Sequence, residues 1–447
     1  MIRSPNIDPK PVENEHDIQS DSTFQKQVKN VTPLWLRELK ESNWAYFKEL
    51  PLPTKETESW RFAKTDDLSP KGYSLASGNR SAPSNAIPPS EDLSINSSGK
   101  IELRNDSTLN FIEAHQDFHK KGLIWMTLED AQRHHPDILQ EYLPQVGPNL
   151  GSEKYQALHA AFVQNGTLLY VPPGLEIKLP FITSTSIGGQ NLAGFPCTLV
   201  IADTNSSVDL EESFHNSPGS SSSLVCATAS IFARQGSRVS YKALQNWGMD
   251  TISFHLNSVT ADRDAEVKTV ALNLGSSHTR NEQHTRIVGE GCNVENYSIS
   301  VPTGEQELDQ RTLQSHYAPN SRSNLLFKNA LSDSSRSIFS GLIKVDEIAQ
   351  QTNAYQTNRN LLLSSEAEAN ALPGLEILAN DVRCSHGATT GKIDDEQLYY
   401  LRARGIRKPL AQELLVFGFL EEVITKVESE KLQNQLRELI RRKLQDQ

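Results

Sequence analysis

The chain is poor in the residues from which metal sites and disulfide frameworks are built. Its 447 residues include four cysteines, Cys197, Cys226, Cys292 and Cys384, far apart and without a C-x-x-C pair. That spacing excludes a disulfide framework or a zinc ribbon as the organising device. It also argues against an iron–sulfur cluster held wholly by this chain, since such clusters usually take thiolates at close spacing. Any metal or cluster site here needs ligands from a second chain. Positive charge is short as well: 44 Lys and Arg against 55 Asp and Glu leave a net −11. Affinity for a phosphate backbone comes from Lys and Arg releasing counterions, so an acidic chain whose late run Arg441–Arg442–Lys443 is this short makes a poor nucleic-acid binder.

Long apolar runs are missing too. None approaches the roughly 18 residues that suggest a membrane span. The first residues are polar and carry Asp and Glu, unlike a secretory signal or an acid-poor transit peptide. The expectation is a soluble, cytoplasmic protein. One stretch, Gly387-Ala-Thr-Thr-Gly-Lys-Ile393, looks briefly like a phosphate loop. It is one residue short between the glycines, and Ile393 stands where Ser or Thr would hold magnesium. Any ATP-driven step must therefore come from another chain. No Gly-x-Ser-x-Gly elbow or dinucleotide fingerprint occurs.

What is present divides the chain into segments, and its length suggests two to four domains at roughly 150 residues each. Residues 1–30 read as a disordered polar tail. Residues 31–150 read as an N-terminal helical domain. Its first helix starts at Thr32–Pro33, with Thr32 as the cap and Leu36, Leu39, Phe47 and Leu50 on one stripe. A flexible loop near 73–100 is rich in Ser, Asn, Pro and Gly. Thr127 and Asp130 form a loose capping box, and a short helix spans 153–163.

Residues 151–391 read as a β-helix core. Thr167–Val171 is a strand, Pro172–Pro173–Gly174 a turn, and the alternation of Leu175, Ile177 and Leu179 predicts a further half-buried strand. A small or polar turn before an alternating strand then recurs at Asn205, Gly236, Asp264 and Gly291, with a weaker copy at Asn320. A period near 30 residues without intervening helices points to stacked β coils, with a β-sandwich as the plain alternative. Residues 392–447 form a C-terminal helical domain. Asp394 with Gln397 caps its first helix, which Gly405 closes. The apolar stripes that follow either pack within the chain, cover the solenoid end or bind a partner.

The densest chemistry lies at Asp381-Val-Arg-Cys-Ser-His-Gly-Ala-Thr-Thr390. On an extended segment Cys384 and His386 share one side. A thiolate and an imidazole there are half of a tetrahedral site. A Cys–His nucleophile pair is a weaker reading, because strand neighbours two apart seldom meet in line. From spacing alone, a buried Cys beside a hydrogen-bonded His is the favoured reading. His115 with His119, His134 with His135, and His278 with His284 read as ordinary surface or core histidines.

Residues 381–406, Asn324–Val345, Asn358–Ser364, Pro373–Ile377, Leu169–Gly174 and Glu58–Phe62 together resemble the SufB/SufD family of iron–sulfur cluster assembly proteins. The absence of an N-terminal cysteine cluster, and Cys384-Ser385-His386 in place of a Glu-His-Glu-type segment, resemble its SufD branch. The resemblance implies a central right-handed parallel β-helix, mainly β, flanked by helical domains. It implies a non-catalytic scaffold with no permanent cofactor. SufB would pair through the β-helix, and the C-terminal helices would dock on the ATPase SufC. It places His386, and less surely Cys384, at the SufB interface, where a transient iron–sulfur cluster or iron is shared. Such binding weakens in acid as the imidazole protonates. Two other readings compete: a β-helix enzyme acting on polysaccharide, and a purely structural partner protein.

Overall fold

The computed structural model describes residues 16–29, 31–76, 97–145 and 147–445. Two sheets face each other, wound from alternating strands of one chain and parallel except for one antiparallel strand at the start of each. One runs from Ile124–Thr127 through Gly166–Val171 and Cys197–Ala202 to Arg336–Val345 and Glu368–Ile377. The other runs from Ser107–Ile112 through Gly99–Arg104 and Phe181–Ile187 to Asn353–Leu362 and Arg383–Lys392. From Ser207 onward each strand pairs with the strand one coil later in unbroken parallel register. The architecture is a parallel β-solenoid with helices before and after it.

The predicted repeat marks a backbone event. Asn205, Gly236, Asp264, Gly291 and Asn320 all sit at positive φ, between 55° and 77°. Gly, Asn and Asp tolerate that left-handed conformation, which turns each coil into its next strand. The turns are also stacked. The amide of Asn205 donates to the Gln235 carbonyl, that of Gly236 to Arg263, that of Asp264 to Glu290, and that of Asn320 to Gln350. Gln351, at φ 59°, is a sixth copy that the residue pattern hides.

The interior carries an apolar column and a polar one side by side. Early coils are filled by Val208, Leu210, Val239, Tyr241, Val267 and Val294. Six residues further along the same strands the inward positions are polar, and Gln245, Asn273, Ser300, Asn329 and Asn360 form one column. Amide chains satisfy much of it, such as Gln245 Nε2 to Ser276 Oγ at 2.7 Å and Asn329 Nδ2 to Asn360 Oδ1 at 2.9 Å. Buried amides require such partners.

The helices cover the sides of the solenoid. Trp60, Tyr155 and Phe162 pack on Leu224, Phe254 and Leu256 of one sheet. Beside them Arg280, 3% exposed, bonds Glu282 at 2.9 Å and Asp309, donates to the Ser59 carbonyl at 2.9 Å, and stacks 4.0 Å from the Trp60 ring. This buried ion cluster pins the N-terminal segment. On the other sheet, Val416, Leu420, Val423, Leu436 and Ile440 cover Val270, Leu272, Tyr297 and Ile299. The C-terminal stripes therefore pack along the flank and leave the solenoid end uncovered.

Several expectations need correction. Residues 1–15 of the expected tail lie outside the described residues, but Asp21–Val28 is a helix, capped by Ser20, with Phe24 and Val28 buried. The 31–150 segment is not purely helical. Gly99–Arg104 pairs with Phe181–Ile187 and Ile124–Thr127 with Gly166–Val171, so both sheets begin before residue 151. Most of the expected loop lies outside the described residues, and Ser74–Leu75 and Gly99–Arg104 at its ends are strands. Pro33, not Thr32, caps the helix Leu34–Glu49. Leu175–Leu179 is no full strand. Prolines 172, 173 and 180 bracket it, and its only ladder contact is a bridge from Glu176 to Ser207. The helix Asp395–Ala403 has its predicted Asp394 cap but buries none of its residues.

Candidate functional site: the open end of the solenoid

The last coil is formed by two ten-residue strands, Glu368–Ile377 and Arg383–Lys392, each the final strand of its sheet. Each is paired on one edge only. Such edges present unpaired N–H and C=O groups, and long ones are normally shortened, charged or covered. Here they are long, and apolar residues stand exposed beside them: Leu372, Leu375, Ile377 and Leu378.

Register decides where the candidate ligands point. Cys384 stacks on Ala354, His386 on Gln356, Ala388 on Asn358 and Thr390 on Asn360. Ala354 lies in the interior with Ile343 and Val345, and Cys384 packs against that cluster. Cys384 and His386, two residues apart on one strand, both face the lumen at its mouth. The sequence expectation that they share a side holds, and the side is the inner one.

Their environments differ. His386 is exposed. Cys384 is half-buried, and burial pushes its thiol pKa up, partly offset by a hydrogen bond with the Ala354 backbone. A protonated thiol is a poor metal ligand and nucleophile, so in the free chain the imidazole is the more available group. The other thiols are deeper. Burial raises Cys197 to about 12 and Cys292 to about 11, and it raises Cys226 as well. Cys292 is enclosed by the carbonyls of Asp262 and Gly289 at 2.7 and 3.1 Å. These three are structural.

The remaining histidines do not assemble sites. His115 caps the short helix Gln116–Lys120, and His119 Nδ1 lies 3.2 Å from the Leu123 carbonyl. His284 is buried against Ser315 Oγ at 3.0 Å. Among the described residues no three His, Cys, Asp or Glu side chains converge as a metal cage. No helix of the described residues is long and apolar enough to cross a membrane.

Sequence reasoning missed the floor of this mouth. Gln356 and Asn358, 1% and 0% exposed, lie directly beneath His386 and Ala388. Their inward direction could have been found only by continuing the repeat through Gln351.

Comparison with known proteins places this geometry. The model of the SufBD core domain of the SUF iron–sulfur cluster assembly system matches residues 184–419. The model of the SufBD N-terminal region matches residues 19–181. The chain belongs to the SufB/SufD family. The iron–sulfur cluster assembly protein SufD of Bacillus subtilis (strain 168) is 28% identical over 430 residues, covering 93% of this chain and 95% of that protein. The SufB protein of the same organism is 25% identical over 321 residues, covering 72% of this chain and 69% of that one. A SufBD family protein of Staphylococcus epidermidis (strain ATCC 12228) is 26% identical with the same coverage. The SufD-type reading of the sequence agrees with the near full-length match. A role in iron–sulfur cluster assembly follows from the family.

Proposed function

We propose that this chain is a non-catalytic scaffold subunit that pairs with SufB through the open end of its solenoid and contributes His386 to a site for a nascent cluster. The observation that carries the reading is the coincidence of two features. Both unpaired sheet edges and both inward-facing ligand candidates lie on the same final coil. A partner strand added to either edge brings its own side chains over the mouth. Cys384 and His386 provide at most two of the four ligands a cluster or tetrahedral iron takes. The partner would complete the set, with the cluster or iron as shared, transient cargo.

The SufC ATPase would dock on the C-terminal helices. Tyr399, Tyr400, Leu410 and Leu414 support this, because they remain exposed after the flank of the solenoid has been covered. The chain's lack of a phosphate loop makes such a partner necessary for any ATP-driven step.

Co-expression with SufB and SufC tests the assembly. A stable complex is expected, and failure to co-purify rejects the reading. Within that complex His386→Ala should abolish cluster build-up while the subunits stay together. Unchanged build-up in an intact complex leaves His386 without a chemical role. Cys384→Ala is expected to have the smaller effect, because its thiol is the more shielded.

A further inference from the structure

One corner of the solenoid is bare over its last coils. Each turn out of the sheet that ends in Glu368–Ile377 begins with a rung whose amide donates to the last strand residue of the coil before. The rungs Arg234, Asp262, Val288, Tyr317, Asp346 and Leu378 donate to the carbonyls of Ala202, Ala233, Ala261, Ile287, His316 and Val345, so they stack as one column. The early end of the column is covered. Tyr142, on the helix Pro136–Tyr142, packs on Phe232 with ring centroids 4.7 Å apart, and its hydroxyl accepts from Arg234 at 2.6 Å. From Val288 onward the column is exposed. Val288, Tyr317, Ile348 and Leu378 are 45%, 38%, 68% and 56% accessible, Ile348 standing two residues beyond the Asp346 rung.

This apolar row is set among charge of one sign. The turns 288–292, 317–321, 346–352 and 378–382 hold Glu290, Asp346, Glu347 and Asp381 and no Lys, Arg or His. Lys344, near the end of the preceding strand, is engaged by Glu376 at 2.7 Å. An exposed apolar row with a polar rim marks an interaction surface. A rim of carboxylates selects a partner that carries Lys or Arg beside its own apolar residues.

Spacing selects the partner's conformation. Successive rungs lie about 4.8 Å apart, as paired strands do. Residues three and four apart in a helix rise about 4.5 and 6 Å, whereas same-side residues of a strand rise about 6.6 Å. A helix laid along the corner keeps step with the rungs and a strand does not. The helix Pro136–Tyr142 already meets the covered end of the column. The bare row also runs to the open end, because Leu378 follows directly on the final strand Glu368–Ile377, whose outer edge is unpaired. A chain seated on that edge comes up beside the row.

We propose that this corner docks a helix of SufB, about ten residues long to span the three rung steps, with an apolar stripe and Lys or Arg on its flanks. The assignment rests on the reading that SufB pairs with the open end. Backbone pairing at an edge accepts many strands, and the corner adds a contact that discriminates by side chain.

The test uses this chain co-expressed with SufB and SufC. Photoreactive p-benzoylphenylalanine replaces Tyr317 or Ile348. The control is Met249, 49% accessible in the turn from Arg238–Asn246 into Thr251–Ala261, on the opposite corner. Positions 317 and 348 should crosslink to one SufB segment with apolar residues every three or four positions and Lys or Arg between them, and position 249 should not. Ile348→Asp, with folding checked by thermal melting, should weaken SufB capture roughly tenfold. Asp346→Asn with Glu347→Gln should flatten the loss of capture on adding salt. Wild-type capture by Ile348→Asp without crosslinks at 317 or 348, while Thr390→Pro at the final edge weakens capture, overturns the corner assignment and leaves the open-end reading standing. Crosslinks to SufC or to a second copy of this chain overturn the assigned occupant. Absence of a complex with SufB overturns both readings.

Discussion

His316 makes the fold sensitive to acid by an amount that can be worked out. Its side chain is fully buried at the end of the strand Glu307–His316. Ring Nδ1 lies 2.8 Å from Ser321 Oγ and Nε2 lies 2.8 Å from Ser323 Oγ. Both hydroxyl roles are fixed by third groups. Ser321 Oγ donates to the Ala318 carbonyl at 3.2 Å, so it accepts from Nδ1–H. Ser323 Oγ accepts from Gln314 Nε2 at 2.7 Å and keeps its own proton for Nε2. A second ring proton would point at that hydroxyl proton. Burial lowers the pKa of His316 from 6.5 to about 4. The unfolded chain takes up the proton near the upper value and the folded chain only near the lower one. Unfolding therefore binds a proton in this window, and stability present above pH 6.5 is lost as pH falls toward 4. Linkage makes the loss about 2 kcal/mol by about pH 5. His316→Asn keeps a donor and an acceptor but cannot titrate. It should cost about 1 kcal/mol at neutral pH and then decline less steeply than wild type by about 2 kcal/mol on acidification. Urea unfolding at stepped pH measures both slopes. His159, His255 and His284, also lowered to about 4 chiefly by burial, act in both proteins and cancel in the difference. Parallel declines, or a His316 ring that titrates near its ordinary value in an NMR titration, would refute the reasoning.

Three further outcomes are expected. Arg280→Met leaves Glu282 buried without its cation, while Asp309 keeps Arg311, and should destabilise by about 3 kcal/mol, with early proteolysis around Ser59 as the structural readout. Gln351→Gly relieves a left-handed residue and should stabilise by about 0.5–1 kcal/mol in chemical denaturation; a loss would mean that the Gln351 side chain matters more than its backbone. Arg383 N–H bonds inward to Thr352, so alternation turns the N–H groups of residues 384, 386, 388 and 390 to the free edge. Thr390→Pro should therefore weaken capture of SufB in pull-downs at little cost to the isolated fold, and wild-type capture would show that this edge is not the docking strand.

The solenoid was legible because its turns have a backbone requirement with few chemical solutions. Five successive coils meet it with Asn, Gly or Asp, and those residues stand out at a steady period. Gln351 meets the same requirement with a residue that carries no turn signature, and there the pattern fades. Strand assignment failed at Leu175–Leu179, where alternation was real but the bracketing prolines kept the segment out of the ladder. The N-terminal strands were hidden for a different reason. Gly99–Arg104 and Ile124–Thr127 are short and join sheets whose other members lie far along the chain.

The site was half legible, and the missing half has one physical cause. Cys384 and His386 are reactive types at a spacing that puts them on one side, which residue identity alone reveals. Alternation is normally read with apolar residues inward and polar residues outward. The last coils break that rule. In Asn353–Leu362 the inward residues are Ala354, Gln356, Asn358 and Asn360, while Tyr355 is outward and exposed. Hydropathy therefore cannot tell the lumen from the surface here, and only the register of successive coils does so. An aliphatic interior carried to the last coil would leave a dry, sticky mouth. An amide interior lets the coil end on an imidazole above hydrogen-bonding groups, with two open sheet edges around it. On the proposed reading, pairing those edges and completing the ligand set become one event, so the subunit offers a site only where a partner is present to share it.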